Sequence, residues 1–226
     1  TMEQEQRRTW TRQRQQLQAQ RLRLASQGRS LVLTHGVAIS NQWWQPARWK
    51  EHLGSLASWL IPHLEILRRV ILVLDEEIDQ INKQIKAQRQ ARTQTKPKYA
   101  GDLSLEIIEA EVGDWKRFGS WRKAGSFCGL TGGVSASGQS HQDLSITKRG
   151  NRRLRTVLIE LSWRMASHQP DYWLTRKWAP ILDPRAKAHR RSRKKAIVAY
   201  ARALFVDLWK WKTGRVTAEQ LGWQMV

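Results

Sequence analysis

From Leu64 to Ile85 the aliphatic side chains fall at Leu64, Leu67, Ile71, Leu74, Ile78, Ile81 and Ile85, in alternating steps of three and four. Such steps average about 3.5 residues, close to one helical turn, and keep an apolar stripe on one face of a helix: a coiled-coil seam that needs a second helix beside it. The same register runs back through Leu60, Ala57 and Leu53, but Pro62 lies inside it. Proline has no amide hydrogen to donate, so a break or kink is expected there, with a shorter helix before it. Lys83, Lys86 and Arg89 lie toward the helix C-terminus, where cations suit the dipole, and Asp75, Glu76, Glu77 and Asp79 flank the seam as a water-facing set.

Two partners can close this seam. Residues 3–27 contain no Gly or Pro and are dense in Gln, Arg and Leu, which predicts a helix with Gly28 near its end. Its apolar residues are few and late (Leu17, Leu22, Leu24), a poor match for the aliphatic stripe. The expectation is therefore a homo-oligomer formed through the coiled coil. Between the two helices, residues 29–50 form a connector punctuated by Gly36, Asn41 and Pro46. Its Trp43, Trp44 and Trp49 can stack on bases or pack the base of the following helices, and packing is the stronger reading because large aromatics usually supply core area.

Residues 91–102, "ARTQTKPKYAGD", read as a linker. They separate a helical arm, residues 1–95, from a compact helical C-terminal domain, residues 99–226, and the fold class expected is mainly α. The second region opens with "LSLEIIEAEVGD", a short helix stopped by Gly113 whose Glu106, Glu109 and Glu111 read as a solvated face. Trp115, Phe118, Trp121 and Phe127 follow as expected core. In "NRRLRTVLIELSWRM", Leu154, Val157, Leu158, Leu161 and Met165 share one helical face while Arg152, Arg153 and Arg155 lie mostly off it.

Charge narrows the partner. Forty Lys and Arg against nineteen Asp and Glu leave a net charge of +21, which repels itself unless an anion offsets it. Nucleic acid is the leading class. No run of about 18 apolar residues suggests a membrane span, and no basic-then-apolar start suggests a signal peptide. Cys128 is the only cysteine and the six histidines show no ligand spacing, so no metal site is expected in this chain. Met2 stands behind Thr1 in an already helical pattern, which raises the expectation of a fragment continuing upstream.

The stretch from Gly132 to Arg155, "GGVSASGQSHQDLSITKRGNRRLR", combines glycines, serines and arginines. Gly132, Gly133 and Gly138 permit tight turns or a hairpin. Asn151 is a good N-cap, so the amides of the helix it opens, with Lys148, Arg149, Arg152, Arg153 and Arg155 nearby, are expected to hold an anion. A serine beside such a site has what phosphoryl transfer needs, although the residues alone favour a polar loop. The densest basic run, "DPRAKAHRRSRKK", puts Arg190, Arg191, Arg193, Lys194 and Lys195 directly before the apolar helix "AIVAYARALFVDLWKWKTG" and is expected to bind phosphates.

"AEVGDWKRFGSWRKAGSFCGL", "SASGQSHQDLSITKRGNRRLR" and "LIELSWRM" together resemble the C-terminal domain of the IS110/IS1111 family of insertion-sequence transposases. The heptad arm and the "WW" connector resemble that family's middle region. The resemblance implies a site-specific DNA recombinase, guided by a structured bridge RNA where this is known, and a bacterial, cytoplasmic, nucleoid-associated protein. It also implies an N-terminal RuvC-like domain whose four carboxylates hold Mg2+, and a C-terminal serine that attacks DNA phosphate. Counting from Gly129-Leu130 forward and from Ile146-Thr147 back, that serine corresponds to Ser137. The chain departs from the family pattern at Ala136, at Gln139, His141 and Gln142, and at Tyr99-Ala100-Gly101, where only Gly101 remains of a glycine-containing hairpin. The four carboxylates are not found, so the chain is expected to be a fragment or a truncated copy, binding no cofactor itself. The rival expectation is a non-catalytic nucleic-acid-binding and oligomerisation module.

Overall fold

The structure, a computed structural model, describes residues 1–91, 95–137 and 140–226, with the backbone alone for Ala136, Ser140, His141 and Asp143. Linker residues 92–94, and Gly138 and Gln139 of the serine stretch, lie outside the described residues. The fold is mainly α, and it divides into two compact units: Gln6–Gln88, and Arg89–Val226 with Thr1–Glu5.

In the first unit, α1 (Met2–Leu33) and α3 (Leu60–Ala91) run antiparallel, joined through α2 (Pro46–Leu53). The direction is fixed by side-chain bonds: Arg14 Nε donates to Asn82 Oδ1 at 2.5 Å, and Arg21 Nη1 to Asp75 Oδ1 at 2.6 Å. Pro62 neither breaks nor kinks a helix. It sits in the first turn of α3, where amides have no intrahelical acceptor, and the break falls earlier, between Leu53 and Leu60.

The seam residues Leu64, Ile71, Ile78, Ile81 and Ile85 are all buried in a single copy of the chain. Leu67 and Leu74 of the same stripe are half-buried, so the seam has a cover within one copy of the chain. Its cover comes from a second heptad row in α1, Thr11, Arg14, Gln18, Arg21, Ala25, Gly28 and Val32, of which Thr11, Ala25, Gly28 and Val32 are buried. Ala25 and Val32 of that row share a core with Leu64 and Ile71, and Arg14 and Arg21 reach Asn82 and Asp75 of α3. Helix α1 passes through Gly28 rather than ending there. A Cβ at Gly28 would overlap the Trp43 indole, so glycine at this position makes room for an aromatic ring. Trp43, Trp44 and Trp49 are buried; Trp43 Nε1 donates to the Ala25 carbonyl at 3.0 Å and Trp44 Nε1 to Asp75 Oδ2 at 2.7 Å. These tryptophans pack, and Asp75 is an internal acceptor rather than part of a solvated face.

The second unit packs α4 (Asp102–Val112), α5 (Trp121–Phe127), α6 (Arg152–His168), α7 (Trp173–Leu182) and α8 (Arg190–Lys212) around one core, closed by the short α9 (Ala218–Leu221). Leu154, Val157, Leu158, Leu161 and Met165 of α6 bury the face their spacing marked, against Ile197, Tyr200, Leu204 and Phe205 of α8. The chain end pairs with the start of the unit: Lys96 and Val226 exchange backbone hydrogen bonds of 2.9 Å each way. Tyr99 takes a left-handed φ of 68° just before α4, so a tyrosine makes the turn there.

Candidate functional site

The serine stretch folds as a two-stranded hairpin, β1 (Gly132–Ser137) and β2 (Ser140–Ile146), with Gly132 opposite Ile146 and Ser137 opposite Ser140. Its base is fastened where Thr147 N donates to the Thr131 carbonyl at 2.9 Å. Two glycines at positive φ, Gly129 at 67° and Gly150 at 128°, cross there so closely that a Cβ on Gly150 would lie 2.6 Å from the Phe127 carbonyl oxygen. Lys148 also turns left-handed, at φ 55°, so "TKRGN" bends the chain sharply from β2 into α6. Ser137 is exposed at the far end of β1, about 17 Å from Gly132 by strand rise.

At the start of α6 the expected anion site is already occupied by the protein. Asn151 Oδ1 accepts from the amides of Arg153 and Leu154 at 2.9 and 3.1 Å, a full N-cap. Asn151 Nδ2 donates to Glu111 Oε2 at 2.5 Å, and Arg153 Nη1 lies 3.1 Å from Glu111 Oε1. Glu111 is buried, so the expectation of a solvated acidic face is corrected: it ties α4 to the head of α6. Arg155 donates to the Lys148 carbonyl at 3.2 Å and steadies the turn. Asn151, Arg153 and Arg155 thus make internal bonds, while Lys148, Arg149 and Arg152 are exposed.

The head of α8 differs. Arg190, Arg191, Lys194 and Lys195 are exposed, and Arg193 donates to the Leu182 carbonyl at 3.2 Å. Arg191, Lys194 and Lys195 rim a groove of about 770 Å³ between α8, the hairpin base and the indoles of Trp121 and Trp173. Trp121, expected in the core, is 46% exposed and faces this groove instead. Trp173 is held in place by its Nε1, which donates to Asp207 Oδ2 at 2.7 Å. Tyr172 OH donates to the same oxygen at 2.8 Å. Burial pushes the Asp207 carboxyl above its ordinary value although both of these hydrogen bonds, and Lys210 nearby, pull it down.

Sequence reasoning passed over this groove because its residues are scattered, from Trp121 to Lys210. One signal was readable: on α8, Arg191, Lys195, Val198, Arg202, Val206 and Lys210 recur at helical spacing, a basic and apolar stripe on the side away from the core.

Glu106 and Glu109 are also buried rather than solvated. Arg89 Nη1 lies 3.7 Å from Glu106 and 3.5 Å from Glu109, and Lys212 Nζ lies 2.9 Å from Glu109. Burial acts to raise the carboxyl of the neighbouring Asp102, but Lys96 at 2.5 Å and Arg89 at 3.2 Å outweigh it and hold that group below its usual value. These carboxylates face cations of the protein itself. Among the described residues no group of three His, Cys, Asp or Glu side chains could hold a metal ion. Among the described helices none is long and apolar enough to cross a membrane.

Residues 100–177 match the family model described as Transposase IS116/IS110/IS902 family. The chain is similar to the transposase for insertion sequence element IS1111A of Coxiella burnetii, 30% identical over 180 residues that make up 73% of this chain and 46% of that protein. It is similar to y4rJ of Sinorhizobium fredii, which carries a transposase name, at 36% identity over 106 residues, 46% of this chain and 26% of that protein. A second Sinorhizobium fredii protein with a transposase name, y4qE, is 43% identical over 61 residues, 27% of this chain and 16% of that protein. The chain thus spans less than half the length of each of these curated relatives. The hairpin, the cap at Asn151 and all of α6 fall inside the matched residues, and the chain belongs to the IS110/IS1111 family of transposases.

Proposed function

We propose that this chain supplies the serine-bearing part of a transposase that cuts and rejoins DNA strands during insertion-sequence transposition. The observation that carries the reading is the placement of Ser137. It is exposed at the end of a hairpin whose base forms a wall of a groove rimmed by arginine and lysine. In the proposed step Ser137 Oγ attacks a DNA phosphorus and gives up its proton. A Ser–O–P bond forms, the bond to one sugar oxygen breaks, and that oxygen leaves as a protonated hydroxyl. Rejoining is the reverse, with a hydroxyl of another strand attacking the phosphoserine linkage.

The exposed cations Lys148, Arg149, Arg152, Arg190, Arg191, Lys194 and Lys195 would hold phosphates, while Asn151, Arg153, Arg155 and Arg193 shape the elements that present them. Mg2+ belongs to this proposal only as a group held by carboxylates other than those described here. A bridge RNA belongs to it as a further partner.

The test is a covalent adduct. The chain is mixed with branched junction DNA, with and without the metal-binding domain of a family member, and then denatured. A DNA-linked band lost in Ser137→Ala is expected. Failure to form the adduct with the complementing domain present sinks the strand-transfer reading and leaves a nucleic-acid-binding module.

A further inference from the structure

The groove beside α8 has a composition that phosphate binding alone does not require. Its floor is apolar, formed by Leu130, Leu144, Val198 and Val206. Two indole faces open onto it, Trp121 at 46% and Trp173 at 36% exposed. Cations surround them: Arg191, Lys194, Lys195, Arg202 and Lys210. Asp207, the carboxylate among the described lining residues, already accepts two hydrogen bonds at Oδ2, so it adds little repulsion toward an incoming anion. Arg202 Nε is buried and has no hydrogen-bond partner among the described residues, a donor in the groove wall without an acceptor.

We propose that this groove is a binding site for unpaired DNA, in which bases stack on Trp121 and Trp173 and phosphates meet the surrounding cations. A duplex turns its π-faces inward, onto other bases, and cannot use exposed indoles. An unpaired strand exposes both bases and backbone, and every base offers a face to stack. The apolar floor favours DNA over RNA. A 2′-hydroxyl buried there would meet hydrocarbon rather than partners, whereas the thymine methyl suits it. Trp173 is a preset platform, because its bond to Asp207 fixes the plane of the ring before any base arrives.

The proposal deepens the transposase reading and rests on it for the class of partner. Strand exchange must leave nucleotides unpaired next to the cut. The hairpin links the two places directly, since Gly132, Leu144, Ser145 and Ile146 wall the groove and Ser137 ends the same β-ribbon. A strand lying in the groove would be held about 17 Å of strand rise from the serine.

The test uses the full chain and a labelled oligothymidylate, followed by fluorescence anisotropy at fixed salt. Trp121→Ala is the clean variant, since this side chain is half-exposed and its ring partner among the described residues is the neighbouring Arg122, with 4.8 Å from the guanidinium carbon to the ring centre. It should weaken oligothymidylate binding roughly tenfold and leave blunt duplex binding within about twofold. Trp173→Phe, which keeps a stacking face, should retain most of the affinity, and Trp173→Ala should lose it as Trp121→Ala does. Ultraviolet crosslinking to the bound oligonucleotide should place adducts on peptides containing Trp121 or Trp173.

Equal loss for duplex and single strand overturns the stacking site, and so does no loss for either tryptophan variant, the result expected if an apolar peptide were the occupant. Oligouridylate binding as tightly as oligothymidylate overturns the assignment to DNA. None of these readouts depends on the transesterification at Ser137. Absence of the Ser137 adduct with groove binding intact therefore condemns only the cleavage chemistry, and the adduct without tryptophan dependence condemns only the groove.

Discussion

The heads of α6 and α8 read alike in the sequence, each a cluster of arginines or lysines in front of an apolar helical stripe, and the fold uses them for different ends. At α6, Arg153 and Asn151 converge on the buried Glu111, and the helix amides are capped from within. At α8, Arg190, Arg191, Lys194 and Lys195 have no carboxylate within ion-pair reach among the described residues, and three of them rim an open groove. A count of cations cannot separate the two. A carboxylate from a distant element does: Glu111 comes from α4, some forty positions away from its partners. Local charge density marks where an anion is needed, and tertiary structure decides whether the protein has already supplied it.

The sharpest way to break this comparison is to remove the internal anion. Glu111→Ala removes the buried carboxylate that Arg153 Nη1 and Asn151 Nδ2 share, and should cost about 3–5 kcal/mol of stability. The urea midpoint gives this directly, with an unchanged slope showing that the two-state transition is intact. A cost below about 1 kcal/mol would mean that the head of α6 is as open as that of α8, and the contrast would fall.

The opposite outcome is expected at α8. Arg191→Gln with Lys195→Gln removes charges that hold no part of the fold together, so stability should stay within about 0.5 kcal/mol. Binding should change instead. If each cation contacts one phosphate, the slope of log K against log salt for duplex DNA should become shallower by about 0.9 per residue, or about 1.8 for the pair. Titrations at several salt concentrations measure it, and an unchanged slope would remove these residues from the interface.

Much of the helical layout was legible because burial follows spacing: the α3 stripe, the α6 face and the N-cap at Asn151 all lie where their periods placed them. The cover of the α3 stripe was not legible. The matching row in α1 has the same spacing but is written mostly in Thr, Arg, Gln, Ala and Gly, with Val32 at its end, so apolar spacing alone does not reveal it. Gly28 misleads for the same reason, since its role is set by Trp43 from another segment. The acidic residues of α4 looked solvated because their cations, Arg89, Arg153 and Lys212, come from three other places in the chain. Of the candidate site, a hairpin could be anticipated from the glycines of the serine stretch, whereas the groove could not, because it assembles α5, the hairpin, α7 and α8.

The smallest effect concerns the second buried carboxylate and refines the comparison. Glu111 faces a guanidinium, whereas Asp207 is held by the Tyr172 hydroxyl and the Trp173 indole, with Lys210 Nζ no closer than 3.8 Å. Burial raises the Asp207 carboxyl above its usual 3.8. Between the ordinary and the raised value, the folded chain therefore binds more protons than the unfolded one. Stability from this group is complete below the ordinary value and declines as pH rises through the raised one. Asp207→Asn, which keeps an acceptor for one donor and cannot ionise, should flatten that decline without abolishing the fold. Urea midpoints of the two proteins, measured upward from below pH 3.8, should converge at the acid end and separate as pH rises. Parallel curves would mean that burial does not bias Asp207 toward its protonated form, and the contrast with the cation-paired Glu111 would disappear.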